Sequence, residues 1–442
     1  MTSSNRSSSS VTPGSLDRTS HGLWEMTSPP APACPSLETD VDTDVAIIGA
    51  GYTGLSAALH LRERNIAATV VEGSAIGFGG SGRNAGNVNA GLWLAPLDLL
   101  TALGDVYGER LLRLLSDAPA EVFALAKKYA IDCDPLSVGT LHCGVGAAGL
   151  QELTVRTAQW TARGAPVELL DKVETDRRTG TTAYAGSLLD RRAGTIQPLA
   201  YARGLADSAL SQGAKIFTQS PVIDVVRQGA KWRVMGQNGS VTADWVIVAT
   251  NAYTSSPFGA VRAELAHLPY FNIATAPLSE AMQARILPGR EGAWDTKPVM
   301  TSFRLDRDGR LILGSVGALR GIANSVHRRW AQRTISRLFP YLGAVEFNAE
   351  WYGKIGMTND HLPRFHKFAQ NLIGFSGYNG RGIGPGTVFG RTLADLIAGV
   401  VAEPDLPLPL TPTASRPFGP LMESYYEQGA KIAHFLDARL PR

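Results

Sequence analysis

Cysteine is scarce. Cys34, Cys133 and Cys143 are the three in 442 residues, and none stands in a Cys-x-x-Cys pair. So odd and sparse a set excludes a disulfide framework, and Cys133 and Cys143 read as buried reduced thiols. An excess of one charge is also missing. There are 42 Lys and Arg against 39 Asp and Glu, net +3, with no basic run. That balance gives no attraction to nucleic acid or to an anionic membrane. No stretch approaches the ~20 apolar residues of a membrane span. The N-terminus has no apolar segment of a secretory signal, which leaves the cytoplasm as the expected compartment. No G-x-S-x-G nucleophile elbow occurs. His361 and His366 do not share a helical face and Pro363 interrupts them, so no metal site is expected.

Glycine is plentiful, and its placement is informative. Val45–Ile48 reads as a short strand buried on both faces. Gly49, Gly51 and Gly54 follow it as G-x-G-x-x-G, and Leu55–Arg64 reads as an amphipathic helix. Gly49 permits the tight turn, Gly51 lets backbone approach a pyrophosphate, and Gly54 lets helix pack on strand. The helix N-terminus offers N–H groups and a positive dipole end to two phosphates. Ala68–Val71 reads as the next strand and Glu72 ends it, roughly 20 residues after the glycines, where an acid binds a ribose diol. Glu72 would repel a 2′-phosphate, which disfavours NADP.

Two further glycine-rich stretches follow. Gly77–Gly91 carries six glycines in fifteen residues, with Ser81, Arg83, Asn84, Asn87 and Asn89 among them. It reads as backbone passing close to a ligand, with a flexible surface loop as the bland alternative. Near the C-terminus, strand-like Asn371–Phe375 leads into Gly377–Gly390, GYNGRGIGPGTVFG, and a helix is expected over Thr392–Val401. Between them, Trp245–Thr250 reads as a buried strand ending in Ala249-Thr250-Asn251, where Asn tolerates left-handed backbone angles.

The rest is less specific. Met1 to about Ser20 is Ser-rich and reads as a disordered tail. Pro29, Pro30, Pro32 and Pro35 make the next segment extended, and Trp24 is either free or docked on the body. Leu97–Ala130, Leu150–Arg163 and Pro198–Gln212 read as helices. Lys215–Phe217, Val222–Val226, Lys231–Met235 and Ser240–Asp244 read as strands. The segments PYFNIATAPL, KPVMTSFRL and RLILGSVG suggest an antiparallel sheet, and Val326–Phe339 a basic amphipathic helix with a solvated charged face. A chain of 442 residues exceeds one compact core, so two or more domains are expected.

GAGYTG with Glu72, SGRNAG (Ser81–Gly86), the ATN strand and GYNGRGIGPGTVFGR together resemble the D-amino-acid-oxidase-like FAD-dependent oxidoreductases. The likeness spans about Trp24 to Gly399 and is greatest to the gamma-glutamylputrescine oxidase and L-pipecolate oxidase branch. It implies an α/β two-domain flavoprotein. A Rossmann-type FAD domain would be assembled from 41–95, 190–265 and 350–402. A substrate domain built on an antiparallel sheet would come from 96–189 and 266–349, with 1–40 a tail and 403–442 a C-terminal extension.

The resemblance also implies contacts. Gly49, Ala50, Gly51, Tyr52, Thr53 and Gly54 would follow the pyrophosphate, and Glu72 and Gly73 the adenosine ribose. Ser81, Gly82, Arg83, Asn84, Ala85, Gly86 and Asn87 would line the ribityl and isoalloxazine region. Val222 would present backbone to adenine, and Ala249, Thr250 and Asn251 would abut the cofactor. Gly377, Tyr378, Asn379, Gly380, Arg381 and Gly382 would run beside the flavin ring, and the helix after them would direct its positive end at the charge of reduced flavin. Some relatives bind FAD covalently through Cys or His; Trp351–Asp360 has no cysteine and SGRNAGNVNAG no histidine, so noncovalent FAD is expected.

The implied reaction oxidises the C–N bond of an amine or amino acid by hydride transfer to flavin, with O2 as acceptor. Tyr270, Phe271, Trp351, Tyr352 and Tyr378 are candidate walls of the substrate pocket, and each reads equally as core. Arg304, Arg320 and Arg381 are candidates to hold a substrate carboxylate. A dehydrogenase passing electrons to a quinone or carrier, and a non-catalytic FAD-binding subunit, remain alternatives. An NAD-dependent dehydrogenase would not need the terminal glycine loop.

Overall fold

A computed structural model describes residues 20–414 and 419–437. The Ser-rich tail up to residue 19 lies outside the described residues. Two sheets organise what is described, one of nine strands and one of eight.

The nine-stranded sheet has a parallel centre in the order Lys215–Phe217, Ala68–Val71, Val41–Ile48, Ser240–Val248 and Leu372–Ser376. Val45, Ala46 and Ile47 are fully buried, as an apolar run with no alternation requires when both sheet faces are covered. The helix Tyr52–Glu63 is buried from Tyr52 to Leu61 and packs on the sheet, on helix Pro198–Ser211 and on helix Ile383–Ile397. Its closeness to the first strand depends on Gly54, where a Cβ would stand 2.0 Å from the Gly49 carbonyl oxygen. The two stretches read as Ser240–Asp244 and Trp245–Thr250 form one continuous strand, Ser240–Val248.

The terminal helix begins earlier than expected. It runs Ile383–Ile397 rather than Thr392–Val401, so Gly384, Gly386 and Gly390 lie inside it. Glycine lowers helix propensity, which hides the helix from pattern reading. The compensation is packing: a Cβ on Gly390 would meet Thr53 O at 2.5 Å and Ser56 Cβ at 2.8 Å. The glycines let two helices approach each other, and the ligand-facing turn is confined to the residues before Ile383.

The second sheet runs Phe347–Met357, Ala266–Pro277, Arg310–Val316, Thr301–Leu305, Gly292–Asp295, Thr140–Gly144, Gly186–Asp190 and Val167–Leu170. Its pairings are antiparallel except where Gly292–Asp295 meets Thr140–Gly144. Pattern reading misses Thr140–Gly144 and Val167–Leu170, because both are short and neither alternates. Phe347–Met357 pairs over its length with Ala266–Pro277, so the expected boundary at 350 falls inside a strand of this sheet. Likewise Asp190 ends a strand of this sheet instead of opening the cofactor side.

The segment before the first strand is docked. Leu23–Thr27 is a short helix, Trp24 is 1% exposed, and its indole Nε1 donates to Asn84 O at 2.9 Å. Trp24 also meets Trp351 edge to face at 5.3 Å. At the other end, helix Gly419–Leu436 packs on Ala266–Pro277 and on helix Ile322–Leu338.

Candidate active site

The C-terminal ends of the parallel strands open onto one side of the sheet, and each is followed by a turn there. This is the switch point at which open α/β sheets hold ligands. A cleft of about 360 Å3 lies along it. Gly49, Ala50, Gly51, Tyr52 and Thr53 form its floor after the first strand, and Glu72 and Gly73 follow the second. Ala249, Thr250 and Asn251 follow the third, Tyr378 and Gly382 come from the terminal turn, and Ser81 and Val222 also line it.

The turns lock one another. Glu72 Oε2 accepts from Ala50 N–H at 2.7 Å and Oε1 from Ser74 N–H at 2.8 Å. Burial still raises the Glu72 carboxyl above its usual range. Ser81 Oγ accepts the Tyr52 N–H at 3.1 Å, at the helix N-terminus. Asn251 adopts φ 42° and its Oδ1 accepts the Gly377 N–H at 2.9 Å. Asn379, also at positive φ, accepts Thr358 N–H at 2.8 Å through Oδ1 and donates to Gly377 O at 2.7 Å. The hydroxyls of Thr53 and Tyr378 are hydrogen-bonded, which joins the first glycine turn to the last.

Several expected contacts are placed off this cleft. Gly54 packs helix on strand, and Gly82 is pressed on Gly77 O, where a Cβ would come to 2.4 Å. Arg83 lies over the Phe78 ring at 4.4 Å, while its carbonyl accepts from Asn272 and Trp351. Asn84 is occupied with the turn: Nδ2 donates to Gly80 O, Ser81 O and Tyr52 Oη, and Oδ1 accepts from Gly86 N–H. Ala85 and Gly86 continue that turn, and Asn87 pairs with Thr195. Gly377, Asn379, Gly380 and Arg381 stand behind the cleft wall formed by Tyr378 and Gly382.

The substrate candidates separate. Tyr270 and Phe271 are neighbours on one strand, so their side chains take opposite faces. Tyr270 Oη bonds Ser302 Oγ at 2.7 Å, and Phe271 stacks on His327 at 4.9 Å within the core. Trp351 is 2% exposed and held by Arg83 O and Trp24. Arg320 is exposed and paired with Glu427, away from the cleft. Arg304 is buried and donates to Gly86 O and Ile196 O, a backbone tie. Arg381 lines a second, smaller cavity. Pattern reading also passes over cleft residues Phe78, Tyr253, Phe258 and Lys354. Tyr253 and Phe258 follow the ATN turn, and that adjacency to a strand end is the signal that would find them.

A model of the DAO family, FAD dependent oxidoreductase, matches residues 44–396. The chain belongs to this family. A gamma-glutamylputrescine oxidoreductase of Escherichia coli (strain K12) is 31% identical over 407 residues, 88% of this chain and 93% of its own. A probable oxidoreductase of Haemophilus influenzae, OrdL, is 29% identical over 371 residues, 83% of this chain and 85% of its own. Among solved structures, glycine oxidase from Geobacillus kaustophilus shares the fold, with TM-score 0.67 at 20% identity over 81% of this chain and 95% of that one.

The family's cofactor is FAD, and the cleft fits it. Side chains are absent at 49 and 51, where φ 107° at Gly49 and a 2.9 Å approach to Ser81 Oγ at Gly51 would oppose a Cβ. What remains is a bare backbone turn at a helix N-terminus, a place suited to phosphate groups, with the Glu72 carboxylate beside it in the cleft. Among the described residues no helix is long and apolar enough to cross a membrane.

Proposed function

We propose that this FAD-dependent oxidoreductase oxidises the C–N bond of an amine or amino acid, a secondary or gamma-glutamylated amine, to an imine that water hydrolyses, with O2 reduced to H2O2. The observation that carries the reading is the company Lys354 keeps. This residue belongs to strand Phe347–Met357 of the second sheet, yet it lines the same cleft as Gly51 and Tyr378. That shared lining supports a substrate held between the second sheet and the cofactor cleft. The 31% identity to a gamma-glutamylputrescine oxidoreductase supports the substrate class.

FAD, when bound, supplies the two-electron acceptor for a hydride leaving the carbon beside nitrogen. The chain supplies position and dryness. Gly49 to Thr53, Ser81 and Glu72 would hold the cofactor noncovalently, with Tyr378 and Gly382 lining the same cleft. Tyr253 and Tyr378 are aromatic residues of the cleft lining, and burial raises both phenols, so they stay protonated and do not serve as bases. A desolvated wall of this kind favours the neutral amine, the form able to give up hydride, with no dedicated base.

The test is anaerobic mixing of purified holoprotein with a panel of amines, followed by air. Loss of the oxidised flavin band, then its return with peroxide, supports the reading. A flavin that no amine bleaches overturns it. Bleaching that air fails to reverse, but a quinone does, replaces the O2 step with a different acceptor.

A further inference from the structure

The docked segment before the first strand supports the glycine-rich stretch Gly77–Gly91 from behind. Phe78, Gly79, Gly80 and Ser81 of that stretch line the cofactor cleft, and residues 20–29 do not. The segment instead meets the chain on both sides of these four residues. Before them, a His21 ring nitrogen lies 3.3 Å from Gly77 O. After them, the Trp24 indole donates to Asn84 O at 2.9 Å. The His21 ring also meets Phe78 edge to face at 6.4 Å, and a Cβ on Gly82 would stand 2.7 Å from it.

The segment is itself held from two directions. Leu23 and Trp24 are buried in one cluster with Leu199 of helix Pro198–Ser211 and with Ala274, Ile312 and Trp351 of the second sheet. Arg203 of that helix donates to Glu25 Oε1 at 2.5 Å and to Pro29 O at 2.8 Å, and Gln197 Nε2 donates to Trp24 O at 2.9 Å. The second sheet anchors the same turn: Asn272 and Trp351 donate to Arg83 O at 3.2 and 3.1 Å, and Arg304 donates to Gly86 O at 3.1 Å. The Asn84 carbonyl between them is taken by the N-terminal segment. Filling the gap between helix and sheet would need only the apolar parts of Leu23 and Trp24. The polar ends of His21 and Trp24 are directed to the glycine-rich stretch.

Six glycines in fifteen residues make that stretch costly to order. Contacts that fix it before a ligand arrives reduce the ordering cost that binding bears. A segment that favours one shape of the cleft wall without touching the ligand is coupled to the ligand, and the coupling is reciprocal. We propose that residues 20–29 form a clasp that sets the wall Phe78–Ser81 for FAD, with His21 and Trp24 as positioning residues, so that docking of the clasp and binding of FAD favour each other. The proposal rests on the family's cofactor and not on the substrate read for the cleft.

Two measurements test it, and neither uses an amine. The first is amide hydrogen exchange of the wild-type chain, stripped of FAD and then reconstituted. FAD should slow exchange over residues 21–28 about tenfold and leave Thr140–Gly144 of the second sheet unchanged. Exchange over 21–28 that ignores FAD, or an equal slowing in Thr140–Gly144, overturns the clasp. The second is FAD titration of Trp24→Phe, which keeps an aromatic ring and loses the indole N–H, against Leu141→Ala, a cavity in the core of the second sheet. Trp24→Phe should raise the Kd for FAD about tenfold and change the visible circular dichroism of the bound flavin at saturation. Leu141→Ala should lower Tm and leave both at wild type. A Kd and a spectrum unchanged in Trp24→Phe overturn the proposal, and so does an equal change in Leu141→Ala. If Trp24→Phe fails to fold, the exchange result on the wild type decides.

Discussion

Asn251 joins the third strand to the terminal turn with a single hydrogen bond, and removing it should loosen the cofactor. Its Oδ1 accepts the Gly377 N–H at 2.9 Å, and its backbone sits at φ 42°. Asn251→Ala removes the acceptor and places a Cβ residue in left-handed backbone. A buried N–H left unpaired costs about 1–3 kcal/mol. The left-handed conformation costs a residue other than Gly or Asn about 1–2 kcal/mol. Asn251→Gly loses the bond and keeps the backbone freedom, so it should fall short of Asn251→Ala by about the second amount. Asn251→Asp keeps an acceptor and should stay nearest to wild type. A loss of about 3 kcal/mol corresponds to a drop of about 6–12 °C in Tm for a domain of 150–250 residues. The assay is thermal unfolding of holo- and apoprotein, together with FAD titration followed by flavin fluorescence. The expected order of stability and of FAD affinity is wild type, Asp, Gly, Ala. If Asn251→Ala keeps the wild-type Tm and FAD affinity, the two turns do not depend on each other through this bond.

Gly390→Ala should weaken the contact between the two buried helices, since its Cβ would meet Thr53 O at 2.5 Å. Overpacking costs about 1–3 kcal/mol, read as a lower Tm and a lower flavin content, and an unchanged protein would deny the close packing. Trp24→Ala should cost about 3–5 kcal/mol in urea unfolding, as for a fully buried Trp, because its ring fills the space beside Trp351; a loss under about 1 kcal/mol would mean the segment is not docked in solution. His327 and His434 face each other at 2.8 Å, and burial lowers His327 to about 4 and His434 to about 3. An unfolded histidine titrates near 6.5, so their contribution to stability is present above about pH 6.5 and is lost as pH falls toward 4. Tm measured from pH 7.5 down to 4.5 should fall less steeply in His434→Phe than in wild type, and parallel profiles would remove the pair from the account.

The cofactor half was the legible half. Val45–Ile48, Gly49–Gly54 and Glu72 announce themselves because backbone sterics and phosphate geometry permit few residues there. Asn251 was legible for the same reason, since few residue types accept its backbone angles. The terminal helix was not, because Gly384, Gly386 and Gly390 answer to the neighbouring helix and not to their own propensity. Thr140–Gly144 was hidden because five buried residues carry no period, and its pairing partners lie far along the chain. Among the arginines, sequence gave no means to separate Arg320, paired with Glu427 at the surface, from Arg381, buried between indoles. Partners decide such roles, and partners come from tertiary contacts.

The most direct measurement is the visible spectrum of the purified protein under argon, before and after addition of a secondary or gamma-glutamylated amine. The account predicts a bound flavin that bleaches in proportion to the amine added, with an imine-derived carbonyl appearing in equal amount. A protein that retains no FAD, or one whose flavin keeps its colour against every amine tried, would contradict it.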